Sequence, residues 1–164
     1  DLVEHQPIVV ARMNEFDAIF CIGQDVFYAA RSTHSKPYKG SRVKKSQFQL
    51  AKECLTTIGL LPENGYRLHL ITHQSLWHLD DDVHGHIHKR KRLVENLLRP
   101  LGFVTAINGH NHRFEASPRE VKSPGFRMYH IQAPSLSVRT KGRFAPGFVS
   151  WDPDARNSAE FVPV

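Results

Sequence analysis

The chain has 164 residues, 40% of them apolar and 23% charged, with a formal net charge of +6 and a pI near 9.6. That length suits a single domain, residues 1–164, with a core of its own, and no apolar run approaches the roughly 20 residues that a membrane helix needs. The opening Asp1-Leu2-Val3-Glu4-His5 lacks the basic and apolar regions of a secretory signal, and the positive balance suits an anionic partner such as a phosphate ester or a nucleic acid.

In chain order, residues 8–11 and 18–22 are rich in β-formers and flank a turn at Met13-Asn14-Glu15, which predicts an antiparallel strand pair. Residues 32–40 are polar and contain Pro37 and Gly40, so they predict a loop. Residues 41–58 predict a helix, with Ala51, Cys54, Leu55 and Ile58 at helical spacing as its buried stripe. Gly59 supplies the stop, and 61–65 is a connection. Residues 68–72 form a short, nearly continuous apolar run that predicts a buried strand ending at His73.

Residues 74–88 are polar, acidic and rich in histidine, which predicts a loop. Residues 89–98 predict a second helix burying Leu93, Val94, Leu97 and Leu98, ended by Pro100 and Gly102. A second buried strand, 103–107, runs into Asn108-Gly109-His110-Asn111-His112. Residues 127–132 and 148–151 are strand-like, and 160–164 predict a terminal strand. This order points to an α/β layered fold whose strands carry ligands on their C-terminal ends.

Cys21 lies in a strand-like run and Cys54 on the apolar face of the first helix, so both read as small core residues rather than a disulfide or metal site. A reducing cytoplasm fits such a pair. The eleven histidines are the anomaly of the composition, because imidazole is the commonest metal ligand among side chains. The sharpest cluster is Gly109-His110-Asn111-His112. A buried strand feeds it, the glycine permits a tight turn, and two histidines on a turn can be aimed at two neighbouring points. Two metal ions roughly 3.5–4 Å apart need that arrangement. The strand at 68–72 delivers His73 in the same way, as a third ligand.

These segments, in this order, resemble the second half of the calcineurin-like metallophosphoesterases. Gln47 near the start of the first helix, Thr72-His73 at one strand end and Gly109-His110-Asn111-His112 at the next carry the resemblance. Ala133-Pro134-Ser135-Leu136-Ser137 and Gly147-Phe148-Val149-Ser150-Trp151-Asp152 extend it over nearly the whole chain. It implies a layered β-sandwich flanked by helices, half of an αββα fold. It also implies that His73 and His110 serve one divalent ion and His112 a second, the pair being Mn, Fe or Zn. The implied reaction is hydrolysis of phosphate mono- or diesters.

The family's first-half motifs, Asp-x-His, Gly-Asp-x-x-Asp and Gly-Asn-His-Asp/Glu, do not occur upstream of the first strand pair. Asp82-Val83-His84 matches the first of them only by coincidence, since it follows His73. No catalytic residue is therefore nominated. The expectation is a portion of a longer enzyme that does not turn over phosphate esters by itself. The competing readings are a non-catalytic metal- or phosphate-binding scaffold and a basic nucleic-acid-binding domain, the last without a recognised nucleic-acid motif.

Gly85-His86-Ile87-His88 repeats the Gly-His-x-His pattern without a buried strand to feed it, so a flexible polar loop is expected there, with His84, His86 and His88 near substrate at most. Lys89-Arg90-Lys91-Arg92 opposes the dipole at a helix start. It is either a solvated face or an attractor of anions, and Arg139, Lys141 and Arg143 present the same choice. Trp77 is a lid or a loop anchor. His69 and His130, inside strands, are expected to pack or hydrogen-bond rather than to bind metal.

Overall fold

The computed structural model of the chain describes residues 8–15, 17–33, 42–77, 86–87, 89–110, 113–121, 125–134, 146–155 and 158–163. The elements are β1 (Ile8–Arg12), β2 (Ala18–Ile22), β3 (Asp25–Ala30), α1 (Lys45–Ile58), β4 (Arg67–Thr72), α2 (Arg90–Leu93), β5 (Phe103–Asn108), β6 (Glu115–Glu120), β7 (Arg127–Gln132), β8 (Gly147–Asp152) and β9 (Ser158–Pro163). The result is a mixed α/β fold with one large sheet. Its seven strands run β1-β2-β3-β4-β5-β7-β6, and β8 pairs with β9 separately.

The centre of the sheet is parallel, from β3 through β4 and β5 to β7, and both flanks are antiparallel. Parallel neighbours need long crossovers; α1 supplies the one from β3 to β4, and α2 lies in the one from β4 to β5. Parallel strands therefore end together, and β3, β4, β5 and β7 present their C-terminal ends along one edge.

One face of the sheet meets the helices. Val26, Tyr28, Leu68, Leu70 and Ala106 join Phe48, Ala51, Leu55, Leu93, Leu97 and Leu98 in a single buried cluster, each large side chain contributing about 2 kcal/mol of apolar burial. Residues of opposite parity look the other way, where Trp151 of β8 packs edge-on against Phe27 and His69 at ring separations of 6.4 and 5.0 Å. Cys21 and Cys54 are half-buried free thiols against the core, and burial raises the pKa of both. No helix among the described residues is long and apolar enough to cross a membrane.

Several elements differ from the sequence reading. The helix expected over 41–58 begins at Lys45. Gln47 sets that start: its Oε1 accepts from the Lys44 amide at 2.6 Å, and its Nε2 donates to both Asp17 carboxylate oxygens and to the Arg31 carbonyl. The second helix is one α-turn at Arg90–Leu93 that widens into a π-helical turn at Val94–Leu98. β3 was unanticipated, although Gly23, with φ of +58°, opens the tight turn that leads into it. β6 was also unanticipated: Glu-Ala-Ser-Pro-Arg-Glu is polar and holds Pro118, which an edge strand with one neighbour tolerates. The loop expected over 74–88 is partly docked, since Ser75 bridges His86 and the side chain of Ile87 is fully buried.

Candidate metal-binding site

β4 and β5 are adjacent and parallel, with Thr72 opposite Asn108. The residues that follow, His73 and Gly109-His110, therefore emerge side by side. Their two turns are tied together, because the Gly109 amide donates to the His73 carbonyl at 3.2 Å. Each is also anchored to a third strand. The buried Ser32 hydroxyl, just beyond β3, accepts from the His73 and Gln74 amides at 3.2 Å and donates to the Gln74 side chain at 2.5 Å. The Ala133 amide, just beyond β7, donates to the Asn108 carbonyl at 2.7 Å.

Held in this way, Nδ1 of His110 and Nε2 of His73 lie 3.0 Å apart, with the rings nearly perpendicular at 86°. His73 is exposed and His110 half-buried. The donor set fits a divalent transition metal. Imidazole nitrogens sit about 2.0–2.1 Å from such an ion, so two of them around a tetrahedral centre are about 3.3–3.4 Å apart; the 3.0 Å seen here is also the length of a hydrogen bond between the two rings. Among the described residues no group of three or more His, Cys, Asp or Glu is gathered to hold an ion. The third nominated ligand, His112, lies outside the described residues, as do His84, His88, residues 135–137 and Arg139, Lys141 and Arg143. His86 is described and buried beside Ser75 rather than displayed at the strand ends.

Beneath the two turns lies a polar row that sequence reading missed. Thr72, Asn108, Gln132 and Glu115 are in register across β4, β5, β7 and β6. Asn108 Nδ2 donates to His130 Nε2 at 2.7 Å, which leaves the His130 proton on Nδ1, facing Glu115 at 3.8 Å. Burial pushes the His130 pKa down to about 3, with Arg119 and Arg113 adding to the effect. Asn108 Oδ1 and both amide atoms of Gln132 are buried and have no hydrogen-bond partner among the described residues. The one readable signal was polar residues, Asn108 and Gln132, closing otherwise apolar strands.

Trp77 is buried, donates its Nε1 to the Glu120 carbonyl at 2.9 Å and packs at a tilt against the His130 ring, 4.8 Å between centroids, so it anchors its segment. His69 is buried near the other end of β4. Its Nε2 is 2.8 Å from Asp25, which is also held by two bonds from Arg67. Burial lowers the His69 pKa, partly offset by Asp25. Compared with known proteins, the chain matches no family model and no curated protein.

Proposed function

We propose that this chain supplies histidine ligands to a two-metal site that hydrolyses phosphate mono- or diesters, as half of a metallophosphoesterase-like αββα fold. The observation that carries the reading is the His73–His110 pair, two imidazole nitrogens 3.0 Å apart at the ends of adjacent parallel strands. Ligands at strand C-termini in an open α/β sheet are the common placement of such sites. His73 Nε2 and His110 Nδ1 would hold one divalent ion, Mn, Fe or Zn, and His112 is assigned to a second. Bound there, the ions supply positive charge to the phosphoryl oxygens and a lowered pKa to water. The chain's own contribution is orientation: the Ser32 hydroxyl and the Gly109 and Ala133 amides fix the backbone of the two turns by hydrogen bonds, which brings the imidazoles together. The two free thiols favour a reducing, cytoplasmic setting for this reading.

Equilibrium dialysis against Mn²⁺ and Zn²⁺ tests the assignment. His73→Ala and His110→Ala are each expected to lower metal retention at least about tenfold, since one of few ligands is lost, while His86→Ala leaves it unchanged. Retention that survives both strand-end substitutions rejects the site. The chain carries only the histidine share of the ligands, so it is expected not to turn over an aryl phosphate at an enzyme-like rate. Metal-dependent turnover abolished by His110→Ala would show that the chain is self-sufficient.

A further inference from the structure

The four-cation run at 89–92 is not a uniform face. Arg90 is half-buried and donates to the Leu76 carbonyl at 2.8 Å. Lys91 pairs with Glu95 across one turn. Lys89 is in the left-handed conformation, φ +56°, at the helix entry. Only Arg92 turns toward α1, where it meets Lys45 and Lys52 in a groove of about 430 Å³. Phe48, Gln49 and Asn96 complete the lining, and no acidic side chain is among them.

Lys45, Lys52 and Arg92 form no ion pair with a carboxylate among the described residues. Three like charges from two helices, gathered in one concavity without a counter-charge, repel one another. The arrangement carries that cost unless an anion offsets it. Lys45 and Lys52 are separated by two turns of one helix, about 10 Å at 1.5 Å per residue. Phosphates spaced along a chain match that span better than a single phosphate group does. The one aromatic residue, Phe48, is buried, so no exposed ring is available for base stacking. Contact is therefore confined to the backbone, which binds without regard to sequence.

The geometry points to the groove between α1 and α2 as a docking track for the phosphodiester backbone of a nucleic acid. This inference rests on the groove alone and stands independently of the histidine pair.

Fluorescence anisotropy with a labelled single-stranded DNA of about 20 nucleotides, titrated across a salt series, tests it. Replacing Lys45, Lys52 and Arg92 together by Gln is expected to weaken binding at low salt at least about tenfold and to flatten the logarithmic salt slope by about 2, three lost contacts at about 0.7 each. All three side chains are exposed, and circular dichroism checks that the fold is kept. Lys91→Gln, in the same basic run but outside the groove, is expected to have a smaller effect than Arg92→Gln. His110→Ala is expected to leave binding intact. An unchanged slope in the triple variant, equal effects of Lys91→Gln and Arg92→Gln, dependence on His110, or equal displacement of the DNA by poly-glutamate of matching charge would each overturn the assignment.

Discussion

β4 carries a histidine near each end, and the two live in opposite surroundings. His69, near the start of the strand, is buried between Phe27 and Trp151 and bonded to Asp25, which Arg67 holds by two further bonds. His73, beyond its end, is exposed and meets a second imidazole, that of His110. At the first end the imidazole is a structural part, bonded through Nε2 to a carboxylate that also pairs with an arginine. At the second, hydrogen bonds to backbone groups fix the turns, and the two imidazoles lie side by side. A histidine count is silent on this difference; the partner of each ring nitrogen is what separates packing from chemistry.

The largest way to break the contrast is at the structural end. Asp25→Ala removes the carboxylate from the buried His69 and leaves Arg67 paired with Asp154 alone, and a loss of about 3 kcal/mol is expected from urea unfolding, with metal retention at the other end unchanged in the folded protein. If instead metal retention falls with Asp25, the two ends are one unit and the contrast fails.

An intermediate effect concerns His130, which is buried beneath the His73–His110 pair. Its folded pKa of about 3 lies below its ordinary 6.5, so the unfolded chain takes up the proton first as pH falls. The stabilisation is fully present above about pH 6.5 and is lost progressively toward pH 3. Between pH 7 and pH 4 the protein is expected to lose roughly 2–3 kcal/mol more than a His130→Gln variant. Equal losses, measured by denaturant unfolding at each pH, would place the acid sensitivity elsewhere.

The smallest effect sharpens the comparison. His73→Ala and His110→Ala are each expected to cost less than about 1 kcal/mol in metal-free buffer, since neither side chain is part of the buried core. A larger loss by thermal unfolding would make this pair structural too.

The strands that present His73 and His110 were legible because a nearly continuous apolar run is what a parallel strand, covered on both faces, requires. Leu68 to Thr72 and Phe103 to Ile107 both have that form. β6 was illegible because its pairing with β7 determines it; nothing in its polar composition favours a strand. His86 was read as part of a loop, yet its neighbour Ile87 pins it to Ser75. The polar row of Asn108 and Gln132 appears only when strand register brings residues distant in sequence to the same level. The sharing of Arg92 between two helices is invisible for the same reason: Lys45 and Lys52 belong to a segment on the far side of β4.

The 37-residue separation of His73 and His110 has a kinetic side. A parallel neighbour pairs only after its crossover has closed, and non-local closures of this kind are slow. The histidine pair therefore comes into being only once β4 and β5 have docked, and any state lacking that docking has no two-imidazole site to offer. A divalent ion that prefers the pair would act on the native state alone, raising its population by mass action. Metal uptake during refolding would then time the closure of the central sheet, a step that helix formation in α1 does not report.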